Sequence, residues 1–282
     1  MVAVTHPYIS HVEQIIKGYS CGITMPLLCL LENAQLAVVK YPHNQVGNQV
    51  LVNEWVCNKI ATQIGLSVPL TGCCLIDNES AYGEEFQDQL ISGDASFDKC
   101  NYGISFYSSF VANSVPLQAS NIRNLANLED FWKMLLFDQI VCNVDRHRGN
   151  VLYSLVERKF YAIDCSNVFN SQRGWTEHSL LDSVNEKHYA NLELLLPTAN
   201  GEIYDYFWSN TKTTPDQILD IALQVQKALT PNVICAIIKS MPDEWKEWLG
   251  QAKSVAMEQY LNYRVRHIIE TTTLIIQERG MK

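Results

Sequence analysis

Apolar and polar positions change their rhythm partway along the chain. From Ile23 to about Val115, short apolar runs rich in Val, Ile, Leu, Phe and Tyr alternate with turns of Gly, Asn and Asp. Runs of this length, bounded by turn residues, predict strands at Leu27–Leu31, Gln35–Tyr41, Gly72–Asp77 and Ile104–Val111. Glu32-Asn33-Ala34 is expected to turn the first into the second as a hairpin. One helix is expected among them, from Gln49 to about Ile64. Val52, Val56 and Ile60 recur at four-residue steps, and Gly65 followed by Pro69 closes it.

After Val115 the spacing becomes helical. Leu128–Val141 reads as a helix with Leu135, Leu136, Ile140 and Val141 on apolar faces. Two short strands follow, Val151–Ser154 and Phe160–Ile163. Further helices are expected beyond Ser179, including Pro215–Leu229 and a long C-terminal one starting near Pro242. Pro231 and Pro242 sit where helices should begin. The expected class is α+β, with a small mixed β/α lobe over residues 1–113 and a mainly helical lobe over 114–282. The boundary falls in Asn113–Ser120, which carries Pro116 and small polar residues.

Composition narrows the functions available. The 282 residues are 47% apolar and 18% charged, enough to build a substantial core in one large domain or two small ones. Thirty acidic against 21 basic residues leave a formal net charge of −9, which argues against neutralising nucleic-acid phosphates or coating an anionic membrane. The most apolar run, Ile23–Leu31, is too short to span a bilayer and is interrupted by Pro26. Met1–His11 has neither a basic segment nor a long apolar one, so no secretory signal is expected. Nine cysteines without CxxC spacing read as reduced, mostly buried thiols of a cytoplasmic protein.

The chemistry concentrates in Asn143-Val144-Asp145-Arg146-His147-Arg148-Gly149-Asn150. Asp145 and Asn150 have the Asp-x-x-x-x-Asn spacing of the protein-kinase catalytic loop, where the Asp accepts the proton of an attacking hydroxyl and the Asn holds a metal. Asp164 ends the apolar run Tyr161-Ala162-Ile163, as the second metal ligand of such a site does. Hard oxygen donors suit Mg²⁺, which bridges phosphate oxygens. An isolated loop of this kind can also be a helix-ending turn in which Asp145 only caps the turn made with His147 and Gly149. Lys40 closes the apolar strand Leu36-Ala37-Val38-Val39, and Glu54 on the next helix could hold it towards phosphates. A lysine snorkelling from a strand end and a glutamate facing solvent are the plain alternatives. Lys17-Gly18-Tyr19-Ser20-Cys21-Gly22 supplies glycines and a hydroxyl whose backbone amides could cradle phosphates, without the full Gly-x-Gly-x-x-Gly pattern. Ser166, Ser171, Thr176 and Ser179 follow Asp164 in an activation-type segment, read as a polar loop.

Together, Ala37-Val38-Val39-Lys40, Val52-Asn53-Glu54 through Gly65-Leu66-Ser67-Val68-Pro69, the Asn143–Asn150 stretch and Ala162-Ile163-Asp164 resemble the HipA-like serine/threonine kinases. That family comprises bacterial toxin kinases and their stand-alone relatives. The resemblance implies a two-lobed, protein-kinase-like fold with ATP and Mg²⁺ in the cleft between lobes. The implied reaction is transfer of the γ-phosphoryl group to a serine or threonine hydroxyl of a protein. It makes Asp145 the catalytic base, Asn150 and Asp164 the Mg²⁺ ligands, and Lys40 the phosphate-binding lysine with Glu54 as partner. Ser20, Gly22 and His147 join the nucleotide-binding set, and an antitoxin-type protein becomes a possible partner.

Three features depart from the family pattern. The first-lobe loop lacks a dense glycine signature, Asp164 is followed by Cys165-Ser166 rather than Phe-Gly, and the Lys40 strand arrives early. The extra N-terminal subdomain of the toxins is therefore expected to be missing. Phosphoinositide kinases carry a similar Asn-x-Asp-Arg-His-x-x-Asn loop, so phosphorylation of a lipid or small-molecule alcohol is the first rival reading. A nucleotide-binding regulatory module with little catalysis is the second. The joint presence of Lys40, Asp145, Asn150 and Asp164 speaks against it.

Overall fold

The N-terminal stretch holds the longest strand among the described residues, β1 (Ile9–Gly18). Its apolar residues do not alternate, for a physical reason. Its register against the next strand shifts twice, between Val12 and Gln14 and between Ile15 and Lys17, so the inward residues Val12 and Ile15 lose the two-residue beat. The structure, a computed structural model, describes residues 7–20, 23–169, 174–191, 193 and 196–280. These divide into two compact units. The first comprises Met1–Val56, Pro69–Val111 and Lys239–Gly250, and the second Cys57–Val68, Ala112–Ile238 and Gln251–Lys282.

In the first unit β1 is followed by β2 (Leu27–Leu31), β3 (Leu36–Lys40), helix α1 (Gln49–Gln63), β4 (Thr71–Ile76), β5 (Ala81–Tyr82), helix α2 (Glu84–Ser92) and β6 (Gly103–Ser109). The four expected strands all form, within a residue or two of their expected ends. Ala34 adopts φ 61° in the β2–β3 turn, where its N–H reaches the Leu31 carbonyl at 2.8 Å. Pairing runs β1–β2–β3–β6–β4 and returns from β4 to β1, a closed circuit of five strands with β5 added alongside β1. Closure removes the exposed edges that a flat sheet would present. Leu27, Leu31, Val39 and Ile76 fill the interior with Phe86 of α2. Lys40 is thus the last residue of a strand paired on both sides, opposite Phe106 of β6.

A sequence boundary near residue 113 does not anticipate where two segments pack. The first part of α1 belongs to the first unit and its end to the second. Lys239–Gly250 joins the first unit through tryptophans. Trp245 is fully buried, donates from Nε1 to the Ile104 carbonyl at 3.0 Å, and meets Trp55 edge-on at 6.1 Å. Trp55 in turn donates to Ser240 Oγ at 3.1 Å.

The second unit holds an antiparallel sheet of β7 (Ser114–Pro116), β8 (Val151–Ser154) and β9 (Phe160–Ala162). Its helices are α3 (Ala119–Ile122), α4 (Asp130–Val141), α5 (Glu177–Asn185), α6 (Thr198–Trp208), α7 (Pro215–Ala228) and α8 (Pro231–Lys239), whose last residue, Lys239, falls to the first unit. α10 (Gln251–Arg266) and α11 (Ile268–Glu278) follow the first unit's α9 (Asp243–Leu249). From Phe131 onwards α4 is buried at every position except Lys133, so it is buried all round, apolar apart from Asp138 and Gln139, and forms the centre of the unit. Thr214 caps α7 through a capping box with Gln217, and Pro215 starts it.

The single long C-terminal helix expected from Pro242 is corrected. Three helices stand there, because Gly250 takes φ 75° and His267 leaves helical geometry. A glycine takes a positive φ at little steric cost, which lets the chain leave the helix there. Among the described residues no single helix is long and apolar enough to cross a membrane.

The Trp245 anchor yields a stability prediction. Trp245→Ala removes a fully buried indole and its hydrogen bond to the Ile104 carbonyl. The expected loss is about 3–5 kcal/mol, read as a lower denaturant midpoint. An unchanged midpoint would show that α9 does not anchor the first unit.

Candidate active site

Residues expected to act on a nucleotide fall in both units, and each set has its own geometry. In the first unit Lys40 Nζ pairs with Glu54 Oε1, both groups being almost wholly buried. The solvent-facing reading of Glu54 and the snorkelling reading of Lys40 both fail on that burial. A carboxylate beside a lysine shut away from water fixes the direction of its side chain. Ser20 stands exposed just past the end of β1. Gly22 and Ser171 lie outside the described residues.

In the second unit α4 is stopped by Cys142, which takes φ 47° and donates its N–H to the Asp138 carbonyl. The chain then enters the polar loop. Asp145 N–H donates to Asn143 Oδ1 at 3.0 Å, and Asn167 Nδ2 donates to Asp145 Oδ2 at 2.9 Å. The Asp145 side chain itself remains 37% exposed. It does not cap the turn that follows. His147 does, its Nδ1 accepting from Gly149 N–H at 3.0 Å, while its Nε2 lies 3.8 Å from Asp145 Oδ1. Gly149 is required there, since a Cβ would come within 2.7 Å of the His147 ring.

Arg146 organises the loop from below. Its side chain is fully buried and forms an ion pair with the equally buried Asp138, Nη2 to Oδ1 at 2.9 Å and Nε to Oδ2 at 3.1 Å. Burial alone would lower the Arg146 pKa, but the charge and hydrogen bonds of Asp138 hold it above the ordinary arginine value. The remaining nitrogen, Nη1, donates to two carbonyls at 2.8 Å each, those of Asn150 and Ile163. One guanidinium therefore fixes the backbone of Asn150 and the residue preceding Asp164.

Those two positions supply the candidate metal ligands. Asn150 Nδ2 donates to the Asp145 carbonyl at 2.8 Å, which leaves its oxygen as the group for a cation. Asp164 takes φ 59°, and its Oδ1 accepts from Ser166 N–H at 3.0 Å and Ser166 Oγ at 2.6 Å. An amide oxygen and a carboxylate are hard donors and fit Mg²⁺. Among the described residues no cluster of three or more His, Cys, Asp or Glu could hold a metal. A cation here would take its other ligands from phosphate and water, as Mg²⁺ does. The activation-type segment is not all loop, because Thr176 and Ser179 form the capping box of α5.

Arg146 and Asp138 are the residues that motif spacing missed. A signal was present: Asp138 is a lone carboxylate in the second half of an otherwise apolar helix, and a charge in that setting needs a partner.

A family model described as HipA-like kinase matches residues 12–190. Among solved structures the chain is similar to the Helicobacter pylori proinflammatory kinase CtkA, at 18% identity and a TM-score of 0.51, covering 91% of this chain and 95% of that one. It is also similar to the Golgi casein kinase with Mn/ADP bound, at 12% identity and a TM-score of 0.46, covering 95% and 74% of the two chains. No curated protein matches significantly. The likeness to CtkA makes the α+β fold a protein-kinase-like one.

The buried pair makes its own prediction. Arg146→Met leaves Asp138 charged and unpaired in the interior, at an expected cost of about 3–5 kcal/mol. Chemical denaturation measures it. A loss below about 1 kcal/mol, the scale of an exposed pair, would contradict the burial.

Proposed function

The chain belongs to the HipA-like kinase family, and on that premise we propose that it transfers the γ-phosphoryl group of ATP, with Mg²⁺, to a serine or threonine hydroxyl of a protein. The observation that carries this reading is the guanidinium of Arg146, which holds the Asn150 and Ile163 carbonyls beside the half-exposed Asp145. A buried scaffold under an accessible carboxylate is what phosphoryl transfer requires, since that chemistry is mainly positioning and charge neutralisation.

In this reading the first unit is the nucleotide-covering lobe and the second the catalytic lobe. Asp145 orients the attacking hydroxyl and takes its proton as the oxygen bonds to the γ-phosphorus and ADP leaves. Asn167 keeps one carboxylate oxygen occupied, so the other is presented to the hydroxyl. Asn150 and Asp164 hold the cation, which when bound neutralises the phosphate charge. Lys40 steadies the α- and β-phosphates, and Glu54 keeps its ammonium extended. The acidic balance of the chain favours a protein substrate over one embedded in an anionic membrane.

Three outcomes test the proposal. Asp145→Asn keeps size and removes the proton acceptor. Near-normal ATP affinity with turnover lower by roughly two orders of magnitude or more is expected. Full activity in the folded variant would sink the assignment of the loop. Lys40→Ala should lose stability, because the buried Glu54 loses its Lys40 partner, and should lose most phosphoryl transfer under conditions where it stays folded, whereas a fully active variant would make the strand-end lysine irrelevant. ATP should raise the melting temperature far more with Mg²⁺ than with a chelator. Equal shifts in both conditions would count against Asn150 and Asp164 as ligands.

A further inference from the structure

Four asparagines hydrogen-bond the segment that carries Asp145; Asn143 and Asn150 are close to it in sequence, and Asn167 is 22 residues on. Asn143 takes the Asp145 N–H, Asn150 donates to its carbonyl, and Asn167 donates to its carboxylate. The fourth is Asn200, 54 residues beyond Arg146. It lies in the first turn of α6, past residue 190 where the family match ends, and is fully buried. Asn200 Oδ1 accepts from the Arg146 N–H at 2.7 Å. Its Nδ2 donates to the Asn143 carbonyl at 2.8 Å and to the Tyr204 hydroxyl at 3.2 Å. Tyr204, one turn further along α6, donates its hydroxyl to Asp138 Oδ2 of α4 at 3.0 Å.

The side chain therefore bridges the two backbone groups on either side of Val144-Asp145. That bridge needs one donor and one acceptor on a planar group. A primary amide has both, a carboxylate has no donor, and an apolar side chain has neither. Nothing in the loop itself could replace it, because the Arg146 N–H and the Asn143 carbonyl are buried and would be left unpaired.

We propose that Asn200, held by Tyr204, is a positioning residue that fixes the backbone around Asp145 from α6. The proposal rests on the reading of Asp145 as the base, but its structural half stands apart from it. A residue of this kind sets where the carboxylate meets the hydroxyl and leaves nucleotide affinity alone. A displacement of about 1 Å at a reacting group can cost about a hundredfold in rate.

The experiment compares the full chain with Asn200→Leu, which matches the shape without the amide, and with Tyr204→Phe, which keeps the ring against Phe131. Thermal melts establish folding. Amide hydrogen exchange over residues 143–147, kcat, and the KM for ATP are then measured. In Asn200→Leu, exchange at Arg146 should rise at least about tenfold while α4 stays protected. Its kcat should fall by about tenfold or more with the ATP KM within about twofold. Tyr204→Phe should give the same split at smaller amplitude, with kcat lower by about threefold. If Asn200→Leu does not fold, Tyr204→Phe decides. Wild-type exchange and kcat in a folded variant would overturn the proposal, as would an ATP KM that rises in step with the fall in kcat. A wild-type chain with no metal-dependent ATP turnover would defeat the kinase reading instead, and the exchange comparison would still decide the positioning.

Discussion

A guanidinium sealed from water has to find a partner for each of its donors inside the protein, and it then dictates where those partners stand. Arg146 is in that position. Asp138 takes one side of the fork and supplies the compensating charge. The other side reaches two carbonyls, in the loop after Asp145 and at the end of β9. Neither carbonyl can drift without leaving a buried charge-assisted hydrogen bond unmade, which costs more than a neutral one. The candidate base and both candidate metal ligands are thereby tied to a single point at the end of α4.

Such a pair is a poor way to gain stability. Desolvating two charges consumes most of what their attraction returns, and an apolar pair of similar volume often does as well. The surrounding backbone carries further cost. Cys142, Asp164 and Phe169 all take positive φ without being glycine, at about 1–3 kcal/mol each. Compensation is local: Phe169 N–H reaches the Val141 carbonyl at 2.7 Å, so the segment after Asp164 is fastened back to the end of α4. Strain and buried charge converge on one short stretch, while the rest of α4 packs as an ordinary apolar helix. That concentration fits a site selected for geometry rather than for stability.

Much of this was legible in the sequence. Strands β2, β3, β4 and β6 and helices α1 and α4 show as apolar runs because each places apolar residues in its core without a register shift. The Asp145–Asn150 spacing, Asp164 after a strand and Lys40 at a strand end show because they are short-range. What the sequence hid is relational. The two register shifts in β1 spoil its alternation, and Gly250 divides a helical pattern that reads as continuous. The bond from Arg146 to Asp138 joins residues eight apart, and spacing alone does not distinguish a loop arginine that points inward from one that points to water. Asn200 is harder still, being one polar residue in an amphipathic helix far along the chain.

The account stands on the claim that the Asp138–Arg146 pair serves the geometry of the site and not the stability of the fold. Replacing both partners at once, Asp138→Leu with Arg146→Met, separates the two directly. Denaturation and ATP-dependent phosphoryl transfer are measured on the same protein, beside the two single variants. The account predicts a double variant more stable than Arg146→Met alone, because no buried charge is left unpaired, and turnover at or below about one hundredth of wild type, the scale of a misplaced reacting group. A double variant that folds and transfers phosphoryl groups at the wild-type rate would contradict it.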